Sequence, residues 1–302
     1  MSQFLKDLSD GLADVIETVG PAIVRVEGRR RLAATGIVWS SDGVIVTSHH
    51  VVERDENIRI GFADGTATEA TLVGRDPGTD IAVLRTQSEG LQVPTWVEFD
   101  DLSVGHLVLA LGRPGEAVQA TLGVVSALGE VMLEGGRRRR GGSQLDRYIK
   151  TDVVMYPGFS GGPLVNAVGA VAGMNTSIVR GSSLAIPAPT IRRVAETLLQ
   201  HGRMRRGYLG VTSQPAALPT SIKDELQQEM GLLIIAVEPE SPADQSGLLL
   251  GDTIVSLDGY AVTGLDELLG LLTGDRIGAA VPIGILRGGE LLEITVTIGE
   301  RP

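Results

Sequence analysis

From Pro21 onward the chain is a run of short apolar strings broken every few residues by Gly, Asp or Ser, and this punctuation constrains the fold more than any other feature. GIVWSSDGVIVTS reads as two strands turning at Asp42-Gly43, a dipeptide suited to a tight hairpin. Ile58, Ile60 and Phe62 alternate with polar or small residues up to Asp64-Gly65, which predicts another hairpin. DIAVLRT, GHLVLALG and GAVAGMNTS continue the series, and 40 glycines in 302 residues supply the turns. Many short strands at close spacing predict a mostly β chain of sandwich or barrel type. Helices are expected at 3–18, where Phe4, Leu5, Leu8, Leu12, Val15 and Ile16 recur near helical spacing, and at 189–200, where Ile191, Val194, Leu198 and Leu199 form a stripe.

The basic, glycine-punctuated stretch HGRMRRG at 201–207 lacks a core pattern and predicts a boundary. The expected organisation is an N-terminal helical segment at 1–19, a domain at 20–200, a linker at 201–207 and a small α+β domain at 208–302. The last has strands expected near 208–212, 232–238, 253–258, 280–286 and 291–298, with helices near 221–229 and 264–272. GGRRRRGGS, which holds Arg137 to Arg140, predicts an exposed loop.

The net charge of −11 argues against nucleic acid or an anionic membrane as partner, and no apolar run is long enough for a membrane span. Cys is absent and the four histidines have no HExxH spacing, so neither a metal nor a cofactor is expected. The opening MSQFLKDLSD is no signal peptide. The expected location is therefore cytoplasmic as the sequence stands, and periplasmic or otherwise extracytoplasmic if a leader has been removed.

Without cysteine, the nucleophiles on offer are Ser and Thr, and a serine needs a histidine to take its proton and a carboxylate to orient that histidine. His50 closes the strand-like GVIVTSHHVV, and Asp80 precedes the apolar DIAVL, with Asp76 and Asp152 as rival acids. Ser160 lies in YPGFSGG, where glycines permit a tight turn whose Gly158 and Ser160 N–H groups form a candidate oxyanion hole. Taken singly, each has a plain structural reading: a surface histidine, a turn cap, a glycine-rich turn. The GxSxG elbow of parallel-sheet hydrolases is absent.

Together, TSHHVVE, GRDPGTDIAVL, TDVVMYPGFSGGPLVN and LAIPAPTIRRV resemble the HtrA family of trypsin-like serine proteases. RRGYLGV, VEPESPADQSGLLLGDTIVSLDG and IGILRGGE are similar to the PDZ domain that follows that protease. The resemblance implies a double antiparallel β-barrel, His50 and Asp80 on the first barrel and Ser160 on the second, followed by a small α+β PDZ domain. It implies a substrate pocket from Val154, Met155, Asn175, Thr176, Ser177, Ile178, Leu184, Ala185 and Ile186, with no carboxylate to pair a Lys or Arg. It also implies PDZ peptide binding by Tyr208, Leu209, Gly210 and Val211, with Leu265, Leu268 and Leu269 on the following helix. The function implied is an ATP-independent serine endopeptidase that cuts unfolded or extended polypeptides after small or medium aliphatic residues. C-terminal peptides would be captured at the PDZ domain, and the chain would form homotrimers or larger assemblies through its protease domain. The alternative is a peptide-binding, chaperone-like protein whose protease fold hydrolyses little. Three positions depart from the family pattern: Phe159 stands where Asn is usual, Ser48-His49 replace the usual residues before His50, and Ala34-Thr35-Gly36 replaces GSG. Phe159 can only pack, so the oxyanion loop is expected to rely on substrate, a partner or subunit contacts.

Overall fold

The protein is described by a computed structural model covering residues 2–30, 32–129, 147–177 and 183–301. The Arg137 to Arg140 run and Ile178 lie outside these described residues. Two units are distinguished, Met1–Met204 and Arg205–Pro302.

The first unit opens with α1 (Ser2–Val19), whose Val15 and Val19 are buried while Phe4, Leu5 and Leu8 stay exposed. There follow β1 (Ile23–Glu27), β2 (Ala34–Ser40), β3 (Val44–Ser48), β4 (Ile58–Gly61), β5 (Ala67–Asp76) and β6 (Ile81–Thr86), which close into one barrel. A second closed barrel is formed by β7 (Leu107–Gly112), β8 (Gln119–Gly129), β9 (Tyr148–Thr151), β10 (Pro163–Asn166), β11 (Val171–Thr176) and β12 (Ser183–Pro187). Every pairing within the two barrels is antiparallel, so the expected double barrel is the observed one.

Strand alternation divides the side chains between two kinds of core. In β1, Val24 and Val26 join the interior of the first barrel with Ile45, Ile58 and Leu84. Ile23, one residue before Val24 and so on the other face, joins a layer shared by both barrels, with Val46, Ile81, Leu109, Val165 and Met174. The helix α2 (Ala188–His201) packs Ile191, Val194, Ala195 and Leu198 into that shared layer and ends at Gly202 in the left-handed conformation. Each barrel thus contributes a face to one apolar layer.

In the second unit, β13 (Gly207–Tyr208) precedes β14 (Val211–Ala217), α3 (Thr220–Leu226), β15 (Met230–Val237) and α4 (Pro242–Ser246). Then come β16 (Thr253–Leu257), β17 (Tyr260–Ala261), α5 (Leu265–Leu271), β18 (Ala280–Arg287), β19 (Glu290–Thr297) and β20 (Gly299–Glu300). The main sheet runs β14-β15-β16-β18-β19 over a core of Leu232, Ile254, Leu268, Ile283 and Val296. The strand expected near 208–212 is split: Gly207 and Tyr208 pair with β20, Leu209 and Gly210 form a loop, and the sheet strand starts at Val211. The stretch 201–207 is likewise not all linker. Arg205 pairs with Glu300 at 2.9 Å and Gly207 N–H donates to the Leu272 carbonyl at 3.0 Å, which ties 205–207 into the second unit.

Candidate active site and peptide-binding loop

Register brings the first two site residues together. Ser48 at the end of β3 pairs with Ile81 at the start of β6, so the next residues outward, His49 and Asp80, are also neighbours. His49 N–H donates to the Asp80 carbonyl at 3.0 Å, and the short 3-10 turn His49–Val51 carries His50 over the Asp80 side chain. Asp80 has φ +61°, a left-handed conformation that Asp tolerates better than most residues. The rival acid Asp76 caps this turn, accepting the Gly78 and Thr79 N–H groups and the Thr79 hydroxyl. Asp152, the other rival, accepts the Val124 N–H at 2.6 Å. Both are thereby occupied by structural bonds.

Asp80 is only 1% exposed. Its carboxylate meets His50 Nδ1 at 2.9 Å through both oxygens, takes the His50 N–H at 3.0 Å and accepts the Thr176 hydroxyl at 2.6 Å. Burial pushes its pKa up, but the hydrogen bonds from His50 and Thr176 and the His50 charge more than offset that and hold it below the ordinary value. A carboxylate can only accept, so His50 Nδ1 carries the hydrogen and Nε2 is left as the acceptor. Burial, the largest influence, lowers the neighbouring His49.

Ser160 is delivered by β10 and β11. Gly161 N–H donates to the Asn175 carbonyl at 2.9 Å and Asn175 N–H to the Gly162 carbonyl at 2.8 Å, which sets Ser160 beside Thr176 and Ser177. A Cβ on Gly161 (φ +85°) would lie 2.1 Å from the Thr35 carbonyl oxygen, so only glycine fits. The Ser160 hydroxyl lies 3.1 Å from that of Ser177, which in turn lies 3.4 Å from His50 Nε2. The three expected site residues thus converge, with Ser177 between the serine and the imidazole.

Phe159 is fully buried in the second barrel, edge-on to Tyr156 at 5.7 Å between ring centroids. Packing of Phe159 therefore anchors the loop that carries Gly158 and Ser160. Among the described residues, neither Gly158 N–H nor Ser160 N–H has a protein acceptor, so both remain able to donate to an oxygen in the cleft.

A pocket of about 280 Å³ opens beside these groups, lined by Arg29, His50, Met155, Tyr156, Pro157, Gly158, Ser160, Thr176 and Ser177. Of the expected pocket residues, Met155, Thr176 and Ser177 line it; Val154, Asn175, Leu184, Ala185 and Ile186 do not. Val154 is exposed, with its carbonyl held by the Thr121 hydroxyl. Asn175 is buried, its amide donating to the Leu111 and Pro163 carbonyls. Ala185 and Ile186 face opposite cores, and half-buried Leu184 lies in β12 beside Thr176 and Lys150. Arg29 carried no local signal in the sequence, and Thr35 stood out only as a departure from the family string.

In the second unit, the carbonyls of Leu209 and Gly210 are taken by Ala243 and Glu238 N–H groups at 2.8 Å. Among the described residues the N–H groups of Leu209 and Gly210 have no protein acceptor, as a carboxylate-binding loop requires. The Leu209 side chain is buried in the core, so only its backbone is available to a ligand. Tyr208 donates its hydroxyl to Glu238, which raises the Tyr208 pKa. Along α5, Leu265 and Leu269 are 46% and 45% exposed, whereas Leu268 is 2% exposed and belongs to the core.

Comparison with known proteins matches a trypsin-like peptidase domain over residues 34–174 and a PDZ domain over 207–298. A DegP-like relative of Chlamydia trachomatis, named a periplasmic serine endoprotease, is 37% identical over 285 residues, covering 92% of this chain and 56% of its own. The serine-protease relative HhoB from Synechocystis sp. is 32% identical over 334 residues, covering 96% of this chain and 79% of its own. The solved structure of the HtrA-type protease AlgW with a decapeptide superposes with a TM-score of 0.77 at 27% identity, covering 96% of this chain and 99% of that one. The chain spans a little over half the length of the DegP-like relatives. Barrels, cleft and second unit all accord with these matches, and the chain belongs to the HtrA family of trypsin-like serine proteases bearing a C-terminal PDZ domain.

Proposed function

We propose that this chain is an ATP-independent serine endopeptidase acting on unfolded or extended polypeptides. The observation that carries the reading is the buried Asp80 carboxylate gripping His50 Nδ1 at 2.9 Å, which leaves Nε2 basic on the side of Ser160. In this mechanism Ser160 Oγ attacks the scissile carbonyl while its proton passes to His50 Nε2, and Asp80 stabilises the resulting imidazolium. The Gly158 and Ser160 N–H groups receive the tetrahedral oxyanion. The imidazolium then returns the proton to the leaving amine, and a water repeats the sequence to release the acyl group.

The pocket supports cleavage after small or medium aliphatic residues. Its lining holds no carboxylate among the described residues and includes Arg29, so a basic side chain would meet repulsion rather than a partner. Capture of C-terminal peptides is assigned to the loop Tyr208 to Val211 and the exposed Leu265 and Leu269. The names of the DegP-like relatives favour a periplasmic site of action. A homotrimer is what the sequence resemblance to the HtrA family implies.

Labelling with a fluorophosphonate tests the nucleophile: stoichiometric modification lost in Ser160→Ala supports the reading, and no modification from pH 6 to 9 overturns it. One observation favours the second reading, a binder of low activity, since the Ser160 hydroxyl meets Ser177 rather than His50. Casein digestion with mass-spectrometric mapping separates the two.

A further inference from the structure

The cleft contains a grip on the oxyanion loop that comes from the first barrel. The Thr35 hydroxyl, fully buried on β2, donates to the Gly158 carbonyl at 2.6 Å across 123 residues of sequence. The same residue donates its N–H to the Ser160 carbonyl at 3.2 Å. A hydroxyl has one hydrogen to give, and its direction depends on what occupies its lone pairs. Here Arg113 N–H donates to Thr35 Oγ1 at 2.8 Å, so the hydroxyl hydrogen is committed to Gly158. Arg113 is itself tied down: its buried guanidinium donates to the carbonyls of Ile23 at 2.8 Å, Gly20 at 3.0 Å and Glu116.

The peptide between Gly158 and Phe159 is thereby held at both ends. Its oxygen is on Thr35, and its N–H donates to the Tyr156 carbonyl at 3.1 Å. This peptide lies between the peptide units that carry the Gly158 and Ser160 N–H groups, the two without a protein acceptor among the described residues, so its plane governs where both of those donors sit. Rotation of that plane would carry them away from an oxyanion, and preorganised donors contribute only when aimed at the developing charge.

We infer that Thr35 is a positioning residue for the oxyanion hole, its hydroxyl fixing the Gly158–Phe159 peptide in the orientation that serves the transition state. The inference rests on the reading of Ser160 as nucleophile. Its action is on the transition state rather than on substrate capture, so its removal lowers kcat and leaves KM nearly alone.

The test is steady-state hydrolysis of a fluorogenic peptide by the full chain and by Thr35→Val, Thr35→Ala and Thr35→Ser, each verified as folded by circular dichroism. Val keeps the shape without the hydroxyl, Ala guards against a clash, and Ser restores the donor. The expected result is a kcat loss of about 10- to 100-fold for Val and Ala, with KM within about threefold, and Ser within about threefold of the parent. The pH–rate profile should keep the parent's shape. A kcat within threefold for the folded Val or Ala variant, a loss confined to KM, or a Ser variant as impaired as Val would overturn the inference. Failure of the underlying reading looks different: Ser160→Ala would then hydrolyse the peptide as well as the parent.

Discussion

Ser160 and Ser177 hold their hydroxyl oxygens 3.1 Å apart, and Ser177 is the one that faces His50 Nε2. On the proposed mechanism, the nucleophile thus meets its base by way of a second serine among the described residues. Ser177→Ala removes the intermediary and frees Ser160 to bond the imidazole directly. Fluorophosphonate labelling should accelerate by roughly three- to tenfold, equivalent to about 1 kcal/mol. A slower rate would identify Ser177 as a proton relay instead, a distinction that labelling time courses resolve.

Asp80 sets the tautomer of His50, so Asp80→Asn should lower kcat on the order of 10⁴-fold, as in serine proteases whose histidine is left in the wrong tautomer. The same carboxylate has a pH signature. Its folded pKa lies below the ordinary 3.8, so its stabilising contribution is complete above that value and is lost as pH falls through the folded one. Acid titration of unfolding should therefore steepen below about pH 4 in the parent more than in Asp80→Asn.

Phe159 fills the second barrel beneath the oxyanion loop. Truncation to Ala should cost about 3–5 kcal/mol of stability, as for other buried aromatics, and be read as a lower midpoint in urea. Activity should fall further than the unfolded fraction accounts for, because the loop loses its anchor.

Peptide libraries should favour Val, Ala, Ile or Leu before the cleaved bond over Lys or Arg by at least roughly 100-fold in kcat/KM. Arg29→Glu should narrow that ratio by admitting a counter-charge to the pocket, as measured with paired Val and Lys substrates.

At the second unit, Gly210 has φ +82° and a Cβ there would lie 2.1 Å from the Ser241 Cβ. Gly210→Ala should weaken binding of a free C-terminal peptide by about tenfold or more, and amidating the peptide should do the same to the parent. Fluorescence polarisation measures both.

Local strings made much of this legible. Asp42-Gly43, the glycines around Ser160 and the capped stripe of α2 each act within a few residues, so hairpins, turn and helix could be read in place. Side-chain facing was harder. Along β12, Ala185 and Ile186 belong to different cores, and nothing in LAIP distinguishes a pocket wall from the interior of a closed barrel. Leu268 looks like its neighbours Leu265 and Leu269 until the helix is docked. Thr35 and Arg113 escaped for another reason: their bonds span 78 and 123 residues, and no local pattern encodes a contact between barrels.

The Thr176 hydroxyl crosses from the second barrel to the Asp80 carboxylate of the first at 2.6 Å. During synthesis the amino-terminal barrel emerges earlier, holding His50 and Asp80 but neither this clamp nor Ser160. Under the proposed function, cutting power is therefore withheld from a half-made chain, and the nascent polypeptide is shielded from that chemistry until both halves have docked.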